Sequence, residues 1–431
     1  MSLRFLTAGE SHGPELTAIL EGLPAGLRLD QAGLDGMMAR RQTGFGSGGR
    51  MKIERDAVRI SGGLLAGLTT GAPLGLTVPN RDHAGWRGRD VPPMTIPRPG
   101  HADLSAAIKY GYRDLRAGLE RASARETAAR VAVGAVCAQL LAAFGVELLS
   151  YVTAVGHVQL ALDLGVDAAE HRARALAAEA DALRCPDQTA GAAMRQAVAQ
   201  AVRDRDTLGG LFVVAALGLP PGLGSHVHWD RRLGGRLLAA VGSIPAVKGV
   251  EIGPAFANAS LPGTRVHDRI ERTAAGELRR RGGRAGGLEG GITTGEPLVL
   301  RAAMKPISTT LTPLDSVDLA TGETASTRYE RSDFCAVPRA AVVAEAMLAF
   351  VLADAFLEKL GGDHLDELLE RLGRLRQSRL TDLPMDATPW RPWPDNDDEP
   401  VPADSDSADS AADPAAADSA ADPATDAPHA L

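Results

Sequence analysis

The chain has 431 residues, 45% apolar and 23% charged, an ordinary globular composition that excludes a collagen-like or wholly disordered protein. Its formal charge of −8 is uneven: from Asp395 onward there are ten Asp, one Glu and no Lys or Arg, so residues 1–394 carry +3. That slight positive balance suits a small anionic ligand and is too weak to argue for nucleic acid.

The first predicted strand is Glu15–Glu21, followed by a helix-like stretch at 30–41 and further strands at 58–61 and 74–78. Ser123, Ala124, Arg125 and Glu126 read as a capping box that opens an apolar helix to about Phe144, with Gly145 as its stop. Asp167 with Glu170 opens another helix, and good helix formers fill 190–205. Strands are expected at 211–217 and 297–304. The last long helix has Pro338 in its first turn and ends at Leu360 before Gly361.

Strands and helices come in runs joined by hairpin-like turns, which predicts an α+β fold of mixed or antiparallel sheets layered with helices. Past about Leu383, Pro, Ala, Asp and Ser repeat in AADP and DSAD units. Such a segment has little to bury against the entropy cost of ordering, so we expect a folded domain at 1–383 and a disordered tail at 384–431.

Cys137, Cys185 and Cys335 are too few and too scattered for a disulfide framework or a zinc site. The N-terminus MSLRFLTAGES lacks the features of a signal peptide, and no run of about 18 uninterrupted apolar residues occurs. A cytoplasmic protein without membrane spans is expected.

Four polar, Gly-rich segments carry candidate chemistry. AGESHGP (8–14) places His12 between glycines, where an imidazole can move a proton near neutral pH. RRQTGFGSGGR (40–50) contains Gly44, Gly46 and Gly49, a formal GxGxxG match. It follows a helix-like stretch rather than a strand, so it reads as a loop offering Arg40, Arg41 and Arg50 to anions instead of a dinucleotide-binding turn. RPGHAD (98–103) puts His101 between Arg98 and Asp103, and RSDFCAVP (331–338) puts Arg331 two residues from Asp333, just before the long helix.

Arg121 and Arg125 flank the expected helix start, where free N–H groups attract anions. GGLEGGITTG (286–295) permits close approach of a ligand to the backbone. It leads through a strand to Lys305, a rigid turn and three hydroxyls at Ser308, Thr309 and Thr310. His226 and His228 could share one strand face, but no third ligand at suitable spacing makes a metal site.

Together GESHGPELTAILEGLPAG, LERASARETAARVAVGAV, SIPAVKGVEIG, GGLEGGITTG, MKPIST and RSDFCAVP resemble the chorismate synthase family, in order over roughly residues 1–375. The resemblance implies a β-α-β sandwich that assembles as a homotetramer. It also implies the last step of the shikimate pathway: trans-1,4 elimination of phosphate from 5-enolpyruvylshikimate 3-phosphate, without net redox change but with reduced FMN. His12 is then the acid near the departing phosphate, His101 the donor to reduced flavin, and Asp333 the proton acceptor acting with flavin N5.

Flavin contacts implied by the same motifs are Arg121, Ala122, Ser123, Pro245, Ala246, Gly290, Lys305, Pro306, Ile307, Ser308, Thr309 and Arg331. Substrate or NADP contacts are Arg41, Ser47, Arg50, Arg98 and Arg125. NADPH enters as an indirect source of reducing equivalents, and a separate flavin reductase as a partner. Three positions depart from the family pattern. Ser47 and Gly49 stand where relatives commonly carry arginines, and Pro245 stands where Asn or Gln is common, leaving only a backbone contact to flavin. The competing reading is a flavin or NAD(P)-dependent oxidoreductase acting on a small anion.

Overall fold

Two antiparallel sheets enclose a layer of helices in the computed structural model, which describes residues 2–47, 55–330 and 332–389. Residues up to Pro384 form one unit. The segment from 390 onward, with its repeats, lies outside the described residues, as do Gly49, Arg50 and Arg331.

The first sheet contains β1 (Arg4–Ala8), β2 (Glu15–Glu21), β3 (Arg59–Gly62) and β4 (Leu74–Pro79), in the order β1-β2-β4-β3. Its alternation is clear: Leu16, Ala18 and Leu20 on β2 and Leu74, Leu76 and Val78 on β4 are buried, while Leu6 and Ile19 face outward.

The second sheet contains β5 (Glu147–Val155), β6 (Val158–Gln159), β7 (Gly210–Leu217), β8 (Val247–Ile252) and β9 (Leu298–Met304), in the order β8-β9-β7-β5-β6. Here Phe212, Val213, Val214, Ala215 and Ala216 are all buried, because both faces are covered. One face joins the main core. On the other, Tyr151, Val213, Ala215 and Val299 pack with Ala178 of a covering helix.

Five helices matter for the site, of which the first four are α1 (Gln31–Gln42), α2 (Asp103–Tyr110), α3 (Arg116–Ala122) and α4 (Thr127–Ala143). After α5 (Ala168–Glu179), α6 (Gln188–Arg203) and α7 (Leu233–Gly242) comes the 24-residue α8 (Val337–Leu360). Helices α4 and α8 lie together between the sheets, which explains why α8 is apolar all round. By length and composition α8 could cross a membrane, yet it is almost entirely buried in this fold.

Local signals placed most ends within two residues. Asp30 caps α1 by accepting from the N–H groups of Ala32 and Gly33, and Asp167 caps α5 by accepting from Glu170 N–H. The capping box at 123–126 is a correction. A 3₁₀ turn, Ala124–Glu126, precedes α4, and Ser123 Oγ accepts from Arg125 N–H rather than from the third residue. Glu126 binds Arg130 one turn on instead of reaching back. Arg121 and Ala122 accordingly belong to the last turn of α3, not to the start of α4. His226 and His228 lie in a loop, with His228 bonded to Asp230, rather than on one face of a strand.

Candidate active site

The N-termini of α4 and α8 open on the same pocket, so the positive ends of two helix dipoles converge there. The pocket holds about 220 Å³ and is walled by Leu119, Ile244, Met304, Ile307, Ala336, Ala340 and Val343. Its polar lining comes from the predicted motifs, Arg41, Arg98, His101, Ser123, Arg125, Thr309 and Asp333, with the apolar Pro245 beside them. Thr127, Glu330, Ser332 and Arg339 complete it.

Arg41, in the last turn of α1, is buried and donates to Thr127 Oγ1 at 3.1 and 2.9 Å, to the Ala124 carbonyl at 3.0 Å and to Asp56 at 3.3 Å. Arg125 grips the same Asp56 at 2.6 and 2.8 Å, and its Nε donates to Asn80 at 2.7 Å. Two guanidiniums therefore share one carboxylate. Burial pushes the Arg41 guanidinium down, Asp56 opposes this, and the neighbouring charges of Arg125 and Arg339 lower it further, to about 10. It stays cationic at neutral pH, in a corner where an incoming anion would offset an excess of positive charge.

Asp103 begins α2 and is fully buried. Its Oδ2 accepts from Arg98 Nε at 2.8 Å and its Oδ1 from Arg98 Nη2 at 3.0 Å, and His101 Nδ1 lies 2.6 Å from the same Oδ1. A carboxylate at that distance assigns the imidazole proton to Nδ1 and leaves Nε2 for exchange. Arg98 Nη1 also donates to Thr309 at 3.0 Å, so this guanidinium ties 98–103 to the 305–309 segment. The Lys305 amine, lowered by burial and by Lys248, completes that junction at 3.0 Å from the Gly100 carbonyl.

Asp333 is ion-paired with Arg339 from the first turns of α8, and Arg339 also donates to Ser47 at 2.6 Å. Ser47 donates to the Gly44 carbonyl at 2.5 Å, which makes it an anchor for the start of its loop.

His12 is not among the lining residues; its neighbour Ser11 reaches them, with Oγ donating to Ser123 Oγ at 2.9 Å. Asn80 holds the turn by donating to the carbonyls of Glu10, Ser11 and Gly13. The imidazole lies 4.3 Å from the Trp86 ring, with Nδ1 2.6 Å from Glu120.

Other expected residues stand off the pocket. Arg121 is exposed and donates to Thr7 and the Gly9 carbonyl. Ala246 has a left-handed φ of 68° and accepts from Lys305 N–H through its carbonyl. Ala122, Lys305, Pro306 and Ser308 flank lining residues without lining the pocket themselves. Gly290 turns a separate hairpin near His226. The motifs assigned no role to Asp56, Asn80, Glu120 or Arg339. Of these, Glu120 stands inside LERASARETAARVAVGAV beside Arg121, and Arg339 lies in the first turns of a recognised helix six residues past Asp333, so these two had a local signal. A second pocket, lined by Lys359, Arg280, Arg374 and Arg376, shares none of the candidate residues.

The family model for chorismate synthase matches residues 3–357. A chorismate synthase of Moorella thermoacetica is 52% identical over 383 residues, covering 87% of this chain and 98% of the relative. One of Thermus thermophilus is 50% identical over 384 residues, covering 87% and 99%. A crystal structure of chorismate synthase superposes with a TM-score of 0.72 at 42% identity, over 87% of this chain and 97% of that one. The antiparallel layers and the ordered motifs around the pocket thus have the same source: the chain belongs to the chorismate synthase family.

Proposed function

We propose that the pocket between the N-termini of α4 and α8 performs the 1,4-elimination of phosphate from 5-enolpyruvylshikimate 3-phosphate, with reduced FMN as cofactor. The observation that carries this is the sharing of Asp56 by two buried arginines beside two helix N-termini, an arrangement suited to a multiply charged anion. Arg41 and Arg125 bind the substrate's anionic groups. His12 protonates the departing phosphate. Asp333, held by Arg339, takes the proton from the ring, and His101 exchanges a proton through Nε2.

The walls suit a flat amphiphilic heterocycle, with Leu119, Ile244, Met304 and Ile307 as apolar faces and the hydroxyls of Ser123 and Thr309 as polar edges. Those residues, with the Pro245 backbone and the 305–309 segment, would hold FMN. When bound and reduced, it supplies transient electron density to the reacting ring. NADPH as a remote reductant, a separate flavin reductase, a homotetramer and a cytoplasmic location belong to the same proposal.

The test is anaerobic phosphate release and chorismate formation with chemically reduced FMN. Wild type should turn over, and His12→Ala, His101→Ala and Asp333→Ala should each lose about 10²- to 10⁴-fold, the usual worth of a positioned acid or base. A folded, FMN-binding wild type that does not turn over, yet consumes NADPH in step with an oxidised or reduced product, would return the oxidoreductase reading.

A further inference from the structure

We infer that Glu120 on α3 is the positioning residue of His12, fixing the ring's tautomer and the turn that carries it. The inference rests on His12 as the acid proposed above. The glycines beside His12 do not hold that imidazole. Gly9 and Gly13 flank the turn, and Gly9 has a φ of 105°, so the chain there gains freedom rather than constraint.

The constraint comes from 108 residues away. Glu120 Oε1 lies 2.6 Å from His12 Nδ1, and Oε2 accepts the His12 backbone N–H at 2.8 Å. The Glu120 carbonyl also accepts Ser11 N–H at 3.1 Å. One residue thus grips the turn at three points. Among the described residues, Asp82, whose Oδ2 is 3.9 Å from Nε2, His83, whose Nδ1 is 2.9 Å from the His12 carbonyl, and the Trp86 ring also face His12, and none of these three competes for Nδ1.

Burial works to raise the Glu120 carboxyl, but the hydrogen bonds from the His12 ring and backbone outweigh it and hold it below its ordinary value. It is therefore an anion with two acceptors on two donors. In the neutral ring Nδ1 then carries the hydrogen and Nε2 is the atom that gains and gives up a proton. A glutamine cannot reproduce this, because its amide has a single acceptor oxygen for two donors and turns an N–H toward one of them.

The experiment combines kinetics with imidazole ¹⁵N shifts. A positioned acid contributes about 10²- to 10⁴-fold, and Glu120→Gln should forfeit about tenfold or more of that in kcat, with KM changed less than about threefold. Glu120→Asp, which keeps two acceptor oxygens, should recover part of the loss. Adding Glu120→Gln to His12→Ala should cost nothing further, because the glutamate acts through the histidine. The neutral His12 ring should be protonated at Nδ1 in wild type and lose that preference in Glu120→Gln.

Multiplying losses in the double variant would overturn the proposal. So would a wild-type ring protonated at Nε2, which needs no folded variant to observe. If His12→Ala turns over at the wild-type rate, the acid assignment fails on its own. The ¹⁵N shifts then decide whether Glu120 sets the tautomer.

Discussion

Asp103 shows how much a single buried carboxylate can organise. It accepts from the Arg98 side chain twice, from Arg98 N–H at 3.1 Å and from His101 at 2.6 Å. Burial alone would raise its pKa, but the hydrogen bonds from His101 and Arg98 outweigh that and keep it well below the ordinary carboxylate range. The folded value lies below the unfolded one, so its stabilisation is full above about pH 4 and is lost as pH falls through the folded value. Asp103→Asn leaves a guanidinium buried without its anion, which should cost about 3 to 5 kcal/mol at pH 7. In urea titrations the gap between wild type and variant should narrow below about pH 4. A gap of constant size down to pH 2.5 would show that the charge is not what stabilises. At this scale the sequence disclosed the cations, the histidines and the adjacent Asp103, but not the partners that lie far away in the chain. Asp56 meets Arg125 across 69 positions and Glu120 meets His12 across 108, and a lone acidic residue in a helix or loop carries no pattern that predicts such a meeting.

The pocket depends on how α4 and α8 cross, because both start at its walls. They touch at Gly134, where an added Cβ would lie 2.3 Å from Ala346 Cβ and 2.6 Å from the Ala346 carbonyl oxygen. That is backbone contact between two helices held by sheets on either side, so neither can yield without moving the layers. Gly134→Ala should therefore destabilise the protein despite its better helix propensity, by about 1 to 3 kcal/mol or more as an overpacked core does. Thermal unfolding would read the loss, and a Tm at or above wild type would show that the helices separate freely. Hydrophobic pattern and caps disclosed both helices, since each is long and periodic. Pattern tells which face is buried but not against what, so the two-helix layer was implied by the family resemblance and not by the residues. The capping box failed for one tertiary and one local reason: Ser123 Oγ is engaged by Ser11 from another element, and Arg130, one turn on, draws Glu126 away.

For the whole molecule, the question is what the acidic segment past the family's shared length contributes. The family match ends at residue 357, and the two relatives cover 87% of the chain. Every residue that lines the candidate site precedes Leu383. Truncation after Leu383 should therefore leave kcat unchanged, whereas a large loss of turnover would place a working part in the tail. Its charge should still register. Truncation there removes twelve carboxylates and Arg391 and takes the formal charge from −8 to +3, which favours the approach of an anionic substrate. The truncated protein should show a higher kcat/KM than the full chain at low ionic strength, by no more than about tenfold. The two should converge near 0.5 M salt, where the screening length falls to a few ångströms. A difference that persists at high salt would mean that the segment acts by contact rather than by charge, and a faster kcat at every ionic strength would mean that it obstructs the pocket.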